Sequence, residues 1–276
     1  MSHDAVSAEP FAQHLVRWHL TPDGLAITTQ SSRLLPVLAR GRPAMLKVAI
    51  SPEERAGAAL MAWWNGDGAA SVLAHEGEAI LLERAKGGRS LLALAMGNQD
   101  DDASRIACRV AARLHTPRDR PLPDLVPLDI WFAELWPAAA RHGGVLGRCA
   151  EAARTLLASP REVGVLHGDM HHGNVLDFGE GRGWLAIDPK GLRGEQTYDF
   201  ASLLCNPELP STRDPVRLVR QAAIISEAAR LDRERLLLWA LAYAGLSAVW
   251  DTDDENPTDA DLRMPRVLAN LLGHQV

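Results

Sequence analysis

The sequence predicts an α+β fold in two parts, a small antiparallel β-sheet with one helix followed by a larger, mainly helical region. Three observations carry that expectation. At 276 residues the chain exceeds the usual size of one hydrophobic core. Residues 25 to 85 read as short apolar runs separated by turn residues, with one helical stretch among them. Beyond residue 100, apolar residues recur at helical spacing. Gly87-Gly88 suits a flexible crossover, so the parts are expected at 1–84 and 85–276.

Taken in order, residues 1–23 are mixed and carry no assigned chemistry. LAITT, RLLPVLA and PAMLKVAI then read as strands, the last two joined by a turn at Arg40-Gly41-Arg42. Ser51-Pro52-Glu53-Glu54 reads as a helix start, with Ser51 as cap and Pro52 in the first position. After WWNGDGAA, the runs SVLAH and EAILLERA form a second hairpin turning near Glu76-Gly77. Asp102 to His115 places Ile106, Val110 and Leu114 on one helical face beside Ala103, Ala107 and Ala111, and Pro117 marks its end. IWFAELWPAAA and LGRCAEAARTLLA read as two further helices, with Trp131 and Trp136 in the core. Tyr198-Asp199-Phe200 opens another, followed by Pro215 to Arg230, Arg233 to Val249 and a last helix from Thr258.

Composition narrows the function. The chain is 47% hydrophobic and 23% charged, as ordinary globular proteins are. A net charge of −6 disfavours nucleic-acid binding and favours cationic ligands. No apolar run reaches membrane-spanning length, and no basic segment precedes an apolar one at the N-terminus. Cys108, Cys149 and Cys205 are scattered and odd in number, which fits reduced thiols and a cytoplasmic location. Oligomeric state leaves no mark on the sequence.

The chemistry concentrates in VLHGDMHHGN, residues 165–174, and in Ile187-Asp188-Pro189. An apolar run from Val163 to Leu166 ends at His167-Gly168-Asp169, so polar residues sit where a strand becomes a loop. Asn174 follows Asp169 by five residues, and a glycine-rich turn then leads to WLAID. One carboxylate, one amide and a second carboxylate thus lie on neighbouring segments. Phosphoryl transfer needs such a set: a base for the attacking hydroxyl, Asp169, and two oxygen ligands for Mg²⁺, Asn174 and Asp188. The Asp-(x)4-Asn spacing is that of a kinase catalytic loop. Lys47, after two strands and before an acidic helix, is the candidate to hold the α- and β-phosphates. In competition, His167, His171 and His172 with Asp169 suggest a zinc site, but Gly168 and Gly173 bracket the segment and oppose the helix it needs. A metallophosphoesterase would have His after Gly-Asn, where this chain has Val175.

HGDMHHGN followed by IDP resembles the aminoglycoside phosphotransferase and choline-kinase-like group of small-molecule kinases. IDPKGLRGEQTYDFASLLCNP is similar, more narrowly, to the aminoglycoside/hydroxyurea resistance kinases, whose best known members are streptomycin 6-kinases. The resemblance reaches through WWNGDGA, residues 63–69, to most of the chain. It implies a two-lobed protein-kinase-like fold, with 1–84 as nucleotide-binding lobe and 85–276 as catalytic and acceptor-binding lobe. It also implies ATP, with GTP as the alternative, and Mg²⁺.

The resemblance distributes further roles. The loop covering the nucleotide falls at Thr29 to Arg33, lacks the glycines of protein kinases, and leaves Ser31 and Ser32 to donate hydrogen bonds. Glu54, in the context E-x5-L-x2-W, is expected to pair with Lys47, with Glu53 as the alternative. Leu82-Glu83-Arg84-Ala85 is the expected hinge, binding the nucleobase through its backbone. His167 orients the loop and Asp199 braces it. Streptomycin-like acceptors are cationic, so Glu195, Asp251, Asp253, Asp254 and Glu255 are candidates for the acceptor wall. Three classes stay open: an aminoglycoside kinase, a kinase of an amino sugar or choline-like alcohol, and a catalytically inactive nucleotide-binding protein.

Overall fold

A computed structural model describes residues 10–207, 213–250 and 256–273. The first part comprises α1 (Ala12–Arg17), β1 (Leu20–Pro22), β2 (Ile27–Thr28), β3 (Ser32–Ala39), β4 (Arg42–Ala49), α2 (Pro52–Trp64), β5 (Val72–Glu76) and β6 (Ala79–Glu83). Its sheet runs β1-β3-β4-β6-β5, with β2 added beside β3, and every pairing is antiparallel. Arg40 and Gly41 take φ of 50° and 75° between the paired Ala39 and Arg42, the two-residue turn that matches strand twist.

Strand alternation divides the faces of β4. Ala44 and Leu46 are fully buried in a small core with Phe11 and Val37, so Met45 and Lys47 project from the opposite face. That face is covered by α2, whose Leu60, Met61 and Trp64 join Ile80 and Leu82 in the main core of the molecule. The helix therefore fastens the sheet to the larger part.

The larger part comprises α3 (Leu91–Met96), α4 (Asp100–His115), β7 (Val126–Pro127), α5 (Leu128–Trp131), α6 (Leu135–His142), α7 (Gly144–Ala158), β8 (Val163–Leu166), β9 (Val175–Asp177), β10 (Trp184–Ala186), β11 (Leu192–Glu195), α8 (Thr197–Cys205), α9 (Pro215–Ala229), α10 (Arg233–Trp250) and α11 (Arg263–Gly273). Apolar nearly all round, α10 is the central helix and packs on α7, α8 and α11. A short sheet, β7-β11-β8, and the β9–β10 hairpin carry the motif residues. No helix among the described residues is long and apolar enough to cross a membrane.

Several local expectations need correction. IWFAELWPAAA forms two short helices rather than one, because Pro137 has no N–H to donate and is accommodated in the first turn of α6. Ser51 occupies the cap position of α2, but its hydroxyl makes no cap bond. The helix α3 was not anticipated, and the last helix starts at Arg263 rather than Thr258.

Candidate active site

The chain leaves β8 into the loop through Gly168, at φ 84°. A Cβ there would stand 2.8 Å from Leu192 on the neighbouring strand, which is why the motif reads His-Gly-Asp. Asp199, in the first turn of α8, accepts the N–H groups of His167 at 2.9 Å and Gly168 at 2.8 Å, and a bond from His115 Nε2 at 2.7 Å. Burial works to raise its pKa, but the bond from His115 and the surrounding charges hold it below the usual carboxylate range. Fully buried His167 accepts the Asp169 N–H at Nδ1 (3.2 Å), so Nε2 carries the proton and donates to the Ile187 carbonyl at 2.8 Å. Burial lowers its pKa and keeps it neutral. His167 thus ties the loop to the Ile187-Asp188-Pro189 segment.

Asp169 keeps about 30% of its side chain exposed. Asn174 Nδ2 donates to its carbonyl oxygen at 2.9 Å and to Oδ2 at 3.2 Å, while His171 Nε2 stands 3.7 Å away. Burial opposes ionisation of Asp169, but His171, His167 and Lys190 bring the carboxyl down to about 2. With its NH₂ engaged, Asn174 presents its amide oxygen, and its peptide oxygen accepts the Ile187 N–H at 2.9 Å. Asp188 follows at φ 61° and pairs through Oδ1 with Lys47. Lys47 also pairs with Glu54 of α2, whose side chain is only 1% exposed.

These charges stand at one side of a cleft of about 380 Å³ walled by Met45, Met61, Ile80, Leu82 and Phe178. At its rim Glu83 is held by Arg182 Nη2 at 2.5 Å and by the Ser71 N–H at 2.8 Å. Ala85 lines the cleft beside Glu83 and Arg84. The oxygens of Asn174 and Asp188 are the hard donors that Mg²⁺ prefers, and two protein ligands suffice where phosphate oxygens complete the shell. Among the described residues no three His, Cys, Asp or Glu side chains stand together as a metal-holding group.

A sequence model of aminoglycoside/hydroxyurea antibiotic resistance kinases matches residues 17–255. The chain belongs to that family. It is 51% identical over 243 residues to a streptomycin 3''-kinase of Klebsiella pneumoniae, covering 86% of this chain and 91% of the relative. A streptomycin 6-kinase of Streptomyces glaucescens is 33% identical over 255 residues, 87% of this chain and 81% of that protein. In fold the kinase is similar to aminoglycoside phosphotransferase APH(4)-Ia in a ternary complex with AMP-PNP and hygromycin B. There the TM-score is 0.65 and the identity 16%, over 95% of this chain and 98% of the other.

Against this frame of a resistance kinase, the expected residues divide. Lys47, Glu54 and Asp188 meet at the cleft, and it is Glu54 that pairs with Lys47; Asn174 does not line the cleft but joins its edge through the Ile187 N–H, which its carbonyl accepts. Ser32 lines the cleft, but it is buried and its hydroxyl is engaged with Thr29 at 3.1 Å; Ser31 does not line it. Glu195 is corrected outright. It is 1% exposed, doubly bonded by Arg235 at 2.6 and 2.5 Å, and paired with Val163 at the strand end far from the loop. It holds α10 to the short sheet and cannot face an acceptor. Asp251, Asp253, Asp254 and Glu255 lie outside the described residues. Sequence reasoning missed His115 and Lys190. Only the position of Lys190, two residues after Asp188, could have drawn attention to it.

Proposed function

We propose that this kinase transfers the γ-phosphoryl group of ATP to the 3''-hydroxyl of streptomycin, with Mg²⁺ bound between the protein and the phosphates. The observation that carries the reading is the pairing of Lys47 with Asp188 at the cleft, next to Ile187, whose N–H bonds the carbonyl of Asn174, which in turn bonds Asp169. Identity of 51% to a streptomycin 3''-kinase, against 33% to a 6-kinase, supports the 3'' position.

Residues 1–84 would form the nucleotide lobe, in keeping with a sheet that ends at Glu83, and 85–276 the catalytic and acceptor lobe. Lys47, fixed by Glu54, holds the α- and β-phosphates, and the backbone of Glu83 and Ala85 meets the base. Asn174 and Asp188 would hold Mg²⁺, which supplies charge neutralisation to the phosphates. Asp169 orients the acceptor hydroxyl. As the acceptor oxygen bonds to the terminal phosphorus and the bond to the ADP oxygen breaks, Asp169 takes the hydroxyl proton. With a pKa near 2 it is a weak base, so orientation is its larger contribution and the proton moves late.

The acceptor's cations would be met by the acidic run at 251–255. Its supporting observation is that Trp250, ending α10, stacks edge-on with Trp131 at 5.0 Å, and Trp131 bonds Tyr198 beside the bracing Asp199. Incubation with ATP, Mg²⁺ and streptomycin should give a product heavier by one phosphoryl group, with phosphorus coupled to the 3'' proton in NMR. Turnover of choline or an amino sugar but not of streptomycin would overturn the proposal, and coupling at position 6 would correct the site of attack.

A further inference from the structure

Lys190 stands where the three functional segments meet. Its N–H donates to the His167 carbonyl at 2.7 Å, and its Cβ lies beside Gly168 of the catalytic loop. Its Nζ reaches 3.2 Å from Glu54 Oε1, while Lys47 occupies Oε2 of the same carboxylate. Two glycines permit this approach. A Cβ on Gly57 of α2 would collide with the Pro189 carbonyl at 2.1 Å, and one on Gly191 would come within 2.9 Å of Ala56. The helix and the segment after Asp188 are therefore pressed together with Lys190 at the seam.

Glu54 does not need both lysines. It keeps Lys47 if Lys190 departs, so no buried carboxylate is left without a cation. Lys190 is 19% exposed, and its ammonium is a point charge on a flexible four-carbon stem. Its N–H bonds the carbonyl of His167 and it follows Asp188 by two residues, so it joins the segment carrying the metal carboxylate to the loop carrying the catalytic one. Lys47 is divided between Glu54 and Asp188, whereas Lys190 pairs with Glu54. A triphosphate entering the cleft needs a second cation near its terminal group.

We propose that Lys190 is a second phosphate-binding residue, which leaves Glu54 for the γ-phosphate of bound nucleotide and carries charge on the phosphoryl group during transfer. This rests on the kinase reading of the same cleft. Lys47 serves the phosphates common to ATP and ADP, and Lys190 serves the one that is transferred.

The test is the affinity ratio between Mg²⁺–AMP-PNP and Mg²⁺–ADP, measured by titration calorimetry on the full chain, alongside kcat with streptomycin. Lys190→Met should weaken AMP-PNP about 10- to 100-fold, the value of one charge-assisted contact, and leave ADP within about threefold. Its kcat should fall by a similar or larger factor. Lys190→Arg should fold alike and keep most of the ratio, and Lys47→Met should weaken both nucleotides. If Lys190→Met binds both nucleotides as wild type does, or loses both equally, this proposal fails alone and Lys190 is a strut for Glu54. If wild type binds neither nucleotide, the kinase reading fails with it. Neither titration needs an acceptor, so a wrong acceptor assignment leaves the result intact.

Discussion

Glu54 and Glu195 are two glutamates with side chains 1% exposed and cations against them, yet they serve opposite ends. Arg235 grips Glu195 with two parallel bonds and also donates to the Ser159 carbonyl at 2.7 Å, while the Arg161 N–H takes a further carboxylate lone pair at 3.0 Å. That planar, two-point pair is closed. Glu54 instead has one ammonium on each oxygen, and Lys47 is shared again with Asp188. Ammoniums on flexible stems can be handed to incoming phosphates; a forked guanidinium pair cannot be opened without leaving a buried charge. Burial and charge alone do not distinguish a strut from a functional site. Denticity and the number of shared partners do.

The largest effect should come where the open cluster meets the acceptor. Asp169→Asn preserves an oxygen for the Asn174 amide and removes the charge, so kcat should fall by about 10²–10⁴. Nucleotide affinity should stay within a few-fold, since Asp169 is not among the residues lining the cleft. Steady-state kinetics with nucleotide titration measures both, and a near-wild-type rate would remove Asp169 from the chemistry.

Next, the two glutamates can be exchanged for glutamine in parallel. Glu195→Gln strands Arg235, 11% exposed, and should cost about 3–5 kcal/mol of stability with kcat per folded molecule unchanged. Glu54→Gln should cost less stability, because Lys47 retains Asp188 and both lysines keep some contact with water. It should instead loosen nucleotide binding by about tenfold, one lost charge-assisted contact. Urea unfolding and nucleotide titration on both variants give the contrast. A specific rise in acceptor KM for Glu195→Gln would restore Glu195 to the acceptor wall and break the distinction.

This contrast also explains what the sequence could show. The catalytic loop was legible because its members lie within eight residues of one another, and His167, Asp169 and Asn174 interact within that span. The sheet was legible through strand alternation, which also put Lys47 on the face opposite Leu46. Glu195 misled because it is acidic and close in sequence to Asp188, whereas its partner lies forty residues on and is met only through the register of β11. Lys190 was invisible for a related reason: its place depends on how closely α2 approaches, which no local pattern states. The break between α5 and α6 escaped because apolar periodicity runs on through the segment, while the missing N–H of Pro137, which fits only a first turn, decides where the helix divides.

A third buried group sharpens the comparison because its side chain finds no hydrogen-bond partner among the described residues. His172, 1% exposed in the turn preceding β9, has neither ring nitrogen bonded among the described residues. Burial, with the charges of Arg217 and His171 beside it, pushes its pKa down to about 3. Unfolded, a histidine titrates near 6.5. Between those values the unfolded chain binds a proton that the folded chain refuses, so stability is full above about pH 6.5 and falls as pH drops. The full slope for one such group is about 1.4 kcal/mol per pH unit. Carboxylates held low, as Asp169 is at about 2, lose their contribution only below about pH 4, so they leave the interval from 6 to 4.5 nearly untouched. His167, also lowered by burial, shares that interval. His172→Phe should therefore flatten the slope without abolishing it. Urea midpoints from pH 7.5 to 4.5 provide the check: parallel slopes in wild type and variant would mean that the folded protein accepts a proton at His172, and that this group has a partner after all.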